Sequence, residues 1–496
     1  MSLMRLPNEL LVQIAEALHI NQDPLSPGSR RFDRTEPKAT VSSEEVLLAA
    51  SSQQSLLLYR TIYLIDLSTL FSVTQNLLAS PALAKHVREV DVFTDLTFPP
   101  PNFYDERTKN AAEGLLCSLD HDHNVHGELR RATEPFPELA KLINNIRHRH
   151  RLGLQHNNDP RNPMKSFGDA CAALLLLLTP NVNTFQLALL CDDLGRPRFP
   201  FLMSVITGKA PVSALPRLER FRLFKDQEYD GGILPPNLPQ GCMVGRRIKQ
   251  IEVFEPDFGN VRLDKDAWSH VEILYMEETC MSGTWLYTLC KVARPPLKYL
   301  HISSSPHFRF RIPDDDESGV NEALEFCIDT LQDLRLYFNG YSASYQPDLG
   351  PKLRLACLSL MKVLSNLEIA AWYLFDCLED MGSGNICDRL PSSLRRLQLH
   401  ESEHHRNRDP WRVDKSPPVT YEHLLKQTLL QLAFECTNRL PRLERVSLTA
   451  KADSLLDLEG FINITPEFRE RVRWTTFHSP RTNVVTSWKL TFAPRM

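Results

Sequence analysis

The hexamer "LRRLQL" (Leu394–Leu399) carries aliphatic residues at its first, fourth and sixth positions. Side chains two residues apart lie on the same face of a β-strand, so Leu397 and Leu399 predict a strand with one apolar face. Leu394 precedes this pair and is expected to turn into the core at the corner where the strand begins. The hexamer therefore predicts a short strand that another element must cover on one side.

The same pattern occurs ten times along the chain. The copies are "VREVDV" from Val87, "VNTFQL" from Val182, "LERFRL" from Leu218, "IKQIEV" from Ile248, "VEILYM" from Val271, "LKYLHI" from Leu297, "LQDLRL" from Leu331, "LSNLEI" from Leu364, "LRRLQL" from Leu394 and "LERVSL" from Leu443. From Val182 to Leu394, successive copies begin 23 to 36 residues apart, enough for a strand and a returning element. Intervening stretches such as "GVNEALEFCIDT" have helical spacing. The pattern predicts strand–helix units that bury their apolar sides by stacking on one another.

This pattern resembles the irregular leucine-rich repeats. The resemblance implies an α/β fold in which a small helical N-terminal region is followed by an irregular leucine-rich-repeat solenoid, with a strand plus a helix or loop in each repeat. The asparagine expected after the strand is missing, and the spacing is uneven, so we expect an irregular arc rather than a regular horseshoe. The alternative is a layered α/β domain whose strands are unrelated.

Composition narrows the class of protein. A chain of 496 residues exceeds one ordinary core, so we expect several domains or one elongated array. The net charge of -4 predicts neither nucleic-acid nor membrane binding. The longest apolar run, Ala170–Pro180, is about half of a membrane span, which favours a buried helix. Eleven scattered cysteines without a CxxC pair, and an N-terminus unlike a secretory signal, favour a cytoplasmic or nuclear location.

The segment "LPNELLVQIAEAL" (Leu6–Leu18) predicts an amphipathic helix with one continuous apolar stripe. It resembles the first helix of the F-box, whose signature is Leu-Pro-x-Glu-(Leu/Ile)-(Leu/Ile)-x-x-Ile-x-x-x-Leu. The matching residues are Leu6, Pro7, Glu9, Leu10, Leu11, Ile14 and Leu18. The following "LLLYRTIYL" (Leu56–Leu64) and the entry to the first repeat also resemble fungal F-box proteins. An amphipathic helix packed on its own domain is the alternative interpretation.

The F-box resemblance implies a substrate-recognition subunit of a Skp–cullin–F-box ubiquitin ligase. The seven matching residues would bind the Skp-type adaptor, and through it a cullin–RING ligase, while the repeats would bind an unknown target protein. The polar insertion at about 19–42 departs from the family pattern, and the Val-Cys-Arg segment of the F-box is absent from the sequence. The alternative is a leucine-rich-repeat interaction scaffold with a degenerate F-box and no ligase role.

Four segments follow from these patterns. We predict an F-box-like helical region at 1–66, and a first repeat-like strand with an irregular linker at 67–170. The irregular leucine-rich-repeat arc is predicted at 171–460, and a C-terminal capping segment at 461–496.

The strand residues that alternate with the apolar pair are predicted to form an exposed concave face that binds the target. Exposed aromatic residues and arginines are typical of binding hot spots. The candidate residues are Arg220, Arg222, Phe224, Glu252, Phe254, Tyr275, Tyr299, His301, Arg335, Tyr337, Arg396 and Gln398, with Gln250, Asp333 and His400 extending the row. Ordinary solvated strand residues are the alternative for each of them.

No catalytic or metal-binding constellation stands out in the sequence. The motifs of dinucleotide sites, P-loops, zinc proteases and serine hydrolases are absent. The histidine clusters "HDHNVH" (His121–His126) and "HESEHH" (His400–His405) and the acidic "PDDDES" (Pro313–Ser318) have no second group of ligands nearby in sequence. We therefore predict a protein that is not an enzyme and has neither a metal nor a cofactor.

Overall fold

A computed structural model describes part of the chain, which forms two compact units. The first unit comprises Met1–Gln186, Phe199–Val205 and Lys209–Arg217, and the second comprises Leu187–Arg198, Ile206–Gly208 and Leu218–Met496. The described residues are 60–64, 66–92, 106–151, 163–189, 200–206, 215–225, 247–254, 263, 265–279, 283–304, 318–337, 355–374, 385–400, 431–432, 435, 438–449, 472–478 and 485–492. The predicted F-box-like helix at Leu6–Leu18 and the insertion at 19–42 lie outside them.

The elements up to residue 206 alternate short strands with groups of helices. They are β1 (Thr61–Leu64), α1 (Leu67–Ala79), α2 (Pro81–Ala84), β2 (Glu89–Val92), α3 (Glu106–His121), α4 (His123–Thr133), α5 (Pro137–Arg151), α6 (Pro163–Leu178), β3 (Thr184–Leu189) and α7 (Pro200–Ile206). β1 and β2 pair in parallel, with Thr61 opposite Glu89. Asp66 caps α1 by accepting a hydrogen bond from the backbone N–H of Thr69, which satisfies one of the free donors of the first turn.

Helix α1 is the centre of the first unit, where it packs on α3, α4 and α6. Its Phe71 stacks on Phe167 of α6 with ring centroids 5.0 Å apart. The stretch expected to be an irregular linker is instead helical in α3, α4 and α5, because its apolar residues recur at helical spacing, as in Ala112, Leu115 and Leu119, which are buried. The predicted buried helix over the run from Ala170 is confirmed by α6.

The second unit is built mainly from parallel strands. Its elements are β4 (Arg220–Lys225), β5 (Gln250–Phe254), α8 (Lys265–Trp268), β6 (Ile273–Thr279), α9 (Gly283–Ala293), β7 (Tyr299–Ser304), α10 (Ser318–Glu325), β8 (Asp333–Tyr337), β9 (Asn366–Ala370), β10 (Arg396–His400), β11 (Arg445–Thr449), β12 (Val472–His478), β13 (Val485–Phe492) and short 3-10 helices at Ala356–Leu360, Ala371–Leu374 and Ile386–Asp388. Strands β4 to β11 pair in parallel in chain order. β13 pairs antiparallel with β11 and with β12, which lies at the edge.

Each of the ten hexamers forms a strand that begins at its third residue, which confirms the strand prediction. The first aliphatic residue of every copy is buried, as expected for a corner that turns into the core. The aliphatic residues at the fourth and sixth positions are buried as well, wherever the structure describes their side chains. The two-residue period therefore places one face of each strand in the core.

The same backbone hydrogen bonds recur where each strand of the second unit begins. The carbonyl of Glu219 accepts from the backbone N–H groups of Lys249 and Gln250, at 2.8 and 3.1 Å. The corresponding carbonyls of later copies make the same pair of bonds, and they belong to Lys249, Glu272, Lys298, Gln332, Ser365 and Arg395. Because both N–H groups at every corner are satisfied by the preceding copy, neighbouring strands start in register.

Helices and turns supply the remaining core of the second unit. Trp268 of α8 and Trp285 of α9 are buried and meet edge to face, with ring centroids 5.6 Å apart. The buried Sγ atoms of Cys290 and Cys327 lie 4.0 Å apart, and both cysteines are free. The structure thus describes a mixed α/β protein with parallel strands. None of the helices in the described ranges is long and apolar enough to cross a membrane.

Candidate recognition surface

The strand residues that alternate with the buried aliphatic pair share one face of the second unit, which we call the polar–aromatic face. The parallel register aligns them across strands, with Glu252 opposite Tyr275, His301 opposite Arg335, and Arg335 opposite Glu368. The face comprises Arg220, Arg222, Phe224, Gln250, Glu252, Phe254, Tyr275, Glu277, Tyr299, His301, Asp333, Arg335, Tyr337, Asn366, Glu368, Arg396, Gln398, His400, Arg445 and Ser447.

A row of six rings crosses this face. In order, the rings belong to Phe224, Phe254, Tyr275, His301, Tyr337 and His400. Successive ring centroids are 4.3, 5.6, 4.1, 5.5 and 4.7 Å apart. Aromatic pairs at these separations add stabilisation beyond their area burial, so the row joins strands that are far apart in sequence.

Ion pairs join the charged residues of the face across neighbouring strands. The Nε atom of Arg222 lies 3.0 Å from the carboxylate of Glu252. Arg335 lies 3.2 Å from Asp333 and 3.4 Å from Glu368, and its guanidinium is 5.5 Å from the ring centre of Tyr299. Each of these arginines therefore has a carboxylate partner, and the contacts on several sides fix the orientation of Arg335.

Glu368 is the residue on which the polar contacts converge. His400 Nε2 lies 3.0 Å from its carboxylate, and Tyr337 hydrogen-bonds to it. Burial disfavours the ionised carboxylate, but the hydrogen bonds from His400 and Tyr337 and the charge of Arg335 outweigh burial and lower the pKa of Glu368. A carboxylate held in this way stays ionised and fixes three neighbouring strands.

Burial controls the protonation of the other central groups. The pKa of His301 is lowered to about 3, first by burial and then by the charge of Arg335, while Glu368 opposes the shift. Burial raises the pKa of Tyr275, Tyr299 and Tyr337. At neutral pH the face therefore carries a neutral imidazole and protonated phenols.

The predicted target-binding residues all lie on this face, but they are not equally accessible. Arg220 and Arg396 are exposed. The half-buried residues are Arg222, Phe224, Phe254, Tyr299, Arg335, Tyr337 and Gln398. The expectation of an exposed row is wrong for Glu252, Tyr275 and His301, which are only 6%, 1% and 6% exposed. The rings of Tyr275 and His301 stack with their centroids 4.1 Å apart, and each covers the other from solvent. Strand alternation alone does not predict this burial.

The residues of this face that the sequence prediction missed are Glu277, Asn366, Glu368, Arg445 and Ser447. Glu368 is the fifth residue of "LSNLEI", so the alternation rule that selected Arg335 and Gln398 also selects it. The sequence does not indicate that several side chains contact Glu368, because its partners Tyr337 and His400 lie about thirty residues away on either side.

The face combines aromatic rings with charged side chains that are held in ion pairs. In the part of the chain that the structure describes, no group of His, Cys, Asp and Glu side chains is arranged to hold a metal ion. No family model matches the sequence, and no curated protein matches it. Half-buried rings and oriented arginines are typical of protein-recognition surfaces.

Proposed function

We propose that this chain is the target-recognition subunit of a Skp–cullin–F-box ubiquitin ligase in the cytoplasm or nucleus. The segment Leu6–Leu18 docks the Skp-type adaptor, and the polar–aromatic face binds a target protein. The chain itself makes and breaks no covalent bond. It raises the concentration of the target near the ubiquitin-loaded enzyme, which is an effective-concentration effect.

The observation that carries the proposal is the polar–aromatic face itself. A strand that packs only to support a fold needs one apolar face, yet every strand from β4 to β10 except β9 also presents a ring or an arginine on the other face. Phe224, Phe254 and Tyr337 are half-buried, so each has ring surface left for a partner. Burying such surface in an interface is worth more than burying isolated polar side chains.

The ligase part of the proposal rests on the F-box resemblance of the N-terminal segment. Its predicted apolar stripe includes Leu10, Ile14 and Leu18, spaced one helical turn apart. Its position ahead of the strand repeats is the arrangement that the resemblance implies. The irregular leucine-rich-repeat solenoid belongs to the same proposal, and the repeated corner hydrogen bonds of the second unit support it.

Co-purification with a Skp-type adaptor tests this function. We expect the full chain to bind the adaptor, and the double variant Leu10→Asp and Ile14→Asp to lose binding because both charges enter the apolar stripe. Gln13→Asp is the matched control, since helical spacing places Gln13 outside the stripe of Leu10, Ile14 and Leu18. Failure of the wild-type chain to bind would overturn the ligase role.

The second candidate is an interaction scaffold with a degenerate F-box. The polar insertion at 19–42 favours it, because adaptor docking buries apolar residues of several helices, and this stretch is poor in them. Under this function the polar–aromatic face still binds a partner, while the adaptor experiment shows no complex with either the wild-type chain or the Gln13 variant.

A further inference from the structure

Two arginines stand side by side at the far end of the polar–aromatic face. Arg396 of β10 and Arg445 of β11 are register partners, so their backbones lie at the spacing of adjacent parallel strands, about 4.8 Å. Like charges directly opposite each other in a sheet are destabilising. The outer neighbours on this row are Asn366 and Thr491, which carry no charge.

The pair differs from Arg222 and Arg335 in having no carboxylate partner among the residues that the structure describes. Arg222 is paired with Glu252, and Arg335 with Asp333 and Glu368. Within the described ranges, no ion pair is formed by Arg396, which is exposed, or by Arg445, which is half-buried.

Neutral polar side chains extend the site along the same two strands. Gln398 and Ser447 are the next register pair, and both are half-buried. Arg445 Nε donates to Ser447 Oγ at 3.2 Å, which orients the guanidinium and leaves its terminal nitrogens for another acceptor. Two guanidinium groups with fixed neighbours match the planar, bidentate geometry of carboxylates.

We propose that Arg396 and Arg445 bind glutamate or aspartate side chains of an acidic segment in the target protein. This inference rests on the proposed function in taking the polar–aromatic face as the target site. The acidic segment supplies a counter-charge that none of the described residues provides, and the repulsion between the two arginines is relieved when it binds. The half-buried rings of the face then contact the adjoining apolar part of the target.

Fluorescence anisotropy with three labelled peptides of equal length tests the proposal. The probes are an oligoglutamate peptide, an oligolysine peptide and a glycine-rich peptide with phosphoserines. We expect the full chain to bind oligoglutamate, with an affinity that falls as salt rises, and not to bind oligolysine. Arg396→Ala and Arg445→Ala should each weaken this binding about tenfold, and Arg396→Lys should weaken it less, because it retains the charge but not the fork.

Arg220→Ala is the matched control. Arg220 occupies the equivalent strand position on β4 and is exposed, but its register partner is Gln250 rather than a second arginine. We expect this variant to bind oligoglutamate as the wild-type chain does. Equal weakening by Arg220→Ala, or no binding by the wild-type chain at low salt, would overturn the proposal, as would arginine-dependent binding of the phosphoserine peptide alone.

Two further measurements separate this site from other roles. Removing one of two repelling arginines should leave the melting temperature of Arg396→Ala equal to or above that of the wild-type chain, whereas a structural role would lower it. Both arginine variants should still co-purify with the adaptor to the wild-type extent. If oligoglutamate binds but the adaptor does not, the ligase function fails and the acidic-segment site stands. If the adaptor binds but oligoglutamate does not, the acidic-segment site fails and the ligase function stands.

Discussion

His400 Nε2 lies 3.0 Å from the carboxylate of Glu368 on the neighbouring strand, although 32 residues separate them in sequence. Arg335 and Tyr337 reach the same carboxylate from the strand on the other side. A single acidic side chain thus ties three strands of the second unit together. Because a buried acceptor with several donors is costly to remove, this contact leads to the first prediction.

Replacing Glu368 with glutamine should destabilise the second unit by about 1–3 kcal/mol, since the amide cannot accept from all its neighbours or balance the charge of Arg335. Urea unfolding followed by tryptophan fluorescence measures this unit selectively, because all six tryptophans belong to it. Glu444→Gln is the control, since Glu444 is exposed, and it should change the stability by no more than about 0.5 kcal/mol. Equal midpoints for the two variants would contradict the prediction.

Arg147 holds three helices of the first unit together. It lies 2.9 Å from Asp120, donates to the backbone carbonyl of Leu119 at 2.7 Å and contacts His126 and Asn144. The side chains of Arg147 and Asp120 are 11% and 8% exposed, so removing Arg147 takes the nearest cation away from a buried carboxylate. Arg147 is the first residue of the basic run "RHRHR" (Arg147–Arg151), and it is buried in this cluster.

Arg147→Met should therefore destabilise the first unit by about 3–5 kcal/mol. Hydrogen exchange of the backbone amides in α3, α4 and α5 measures the loss locally. Arg131→Ala is the matched control: its partner Glu128 is close, but the arginine is 67% exposed, so the cost should stay below about 1 kcal/mol. Adding Asp120→Leu to Arg147→Met should recover part of the loss, and no recovery would argue against the cost of a buried carboxylate that has lost this cation.

The stability of the second unit should fall in acid because of His301. Its pKa is about 3 in the folded state and 6.5 as a free side chain. Between these values the unfolded chain binds the proton and the folded chain does not, so the free energy of unfolding decreases as the pH falls from 6.5 towards 3. The loss from this residue is at most on the order of 5 kcal/mol.

His301→Phe should remove this part of the acid sensitivity. The ring keeps its stack on Tyr275, and the buried Nδ1 atom, which has no hydrogen-bond partner among the described residues, is eliminated. We expect the variant to be as stable as the wild-type chain at pH 7 and more stable at pH 5, in urea unfolding followed by tryptophan fluorescence. A parallel decline of both proteins between pH 7 and pH 5 would count against the buried neutral imidazole.

Asp169 should give the first unit a pH dependence of the opposite sign. Its carboxylate accepts from the backbone N–H groups of Phe201 and Leu202, both at 2.9 Å, at the start of α7. Burial raises its pKa from 3.8 to about 6 despite these bonds. Between pH 3.8 and 6 the folded chain holds the proton and the unfolded chain does not, so stability falls as the pH rises, by about 3 kcal/mol.

Asp169→Asn should flatten this slope, because the amide does not ionise and its oxygen still accepts from the start of α7. Amide hydrogen exchange in α6 and α7, measured across this pH range, follows the first unit. We expect exchange in the wild-type chain, corrected for its intrinsic pH dependence, to become faster as the pH rises. Slower exchange would contradict a buried carboxylic acid at Asp169.

The strands of this protein could be predicted from the sequence because they follow a local rule. Burial at the first, fourth and sixth positions depends on the two-residue period of an extended chain and on a corner that turns inward, as Leu331, Leu334 and Leu336 show. The prediction failed at residues 106–151, where the strand repeat is interrupted and apolar residues at helical spacing form α3, α4 and α5 instead.

By itself, the sequence determined which residues of each strand face the core and which share the polar–aromatic face. Only the tertiary structure decided what those shared residues do. It buries Tyr275 and His301 against each other, surrounds Glu368 with donors from two other strands, and places Arg396 beside Arg445. The period of a strand is a property of neighbouring residues, whereas these contacts depend on which strands lie side by side and in which register.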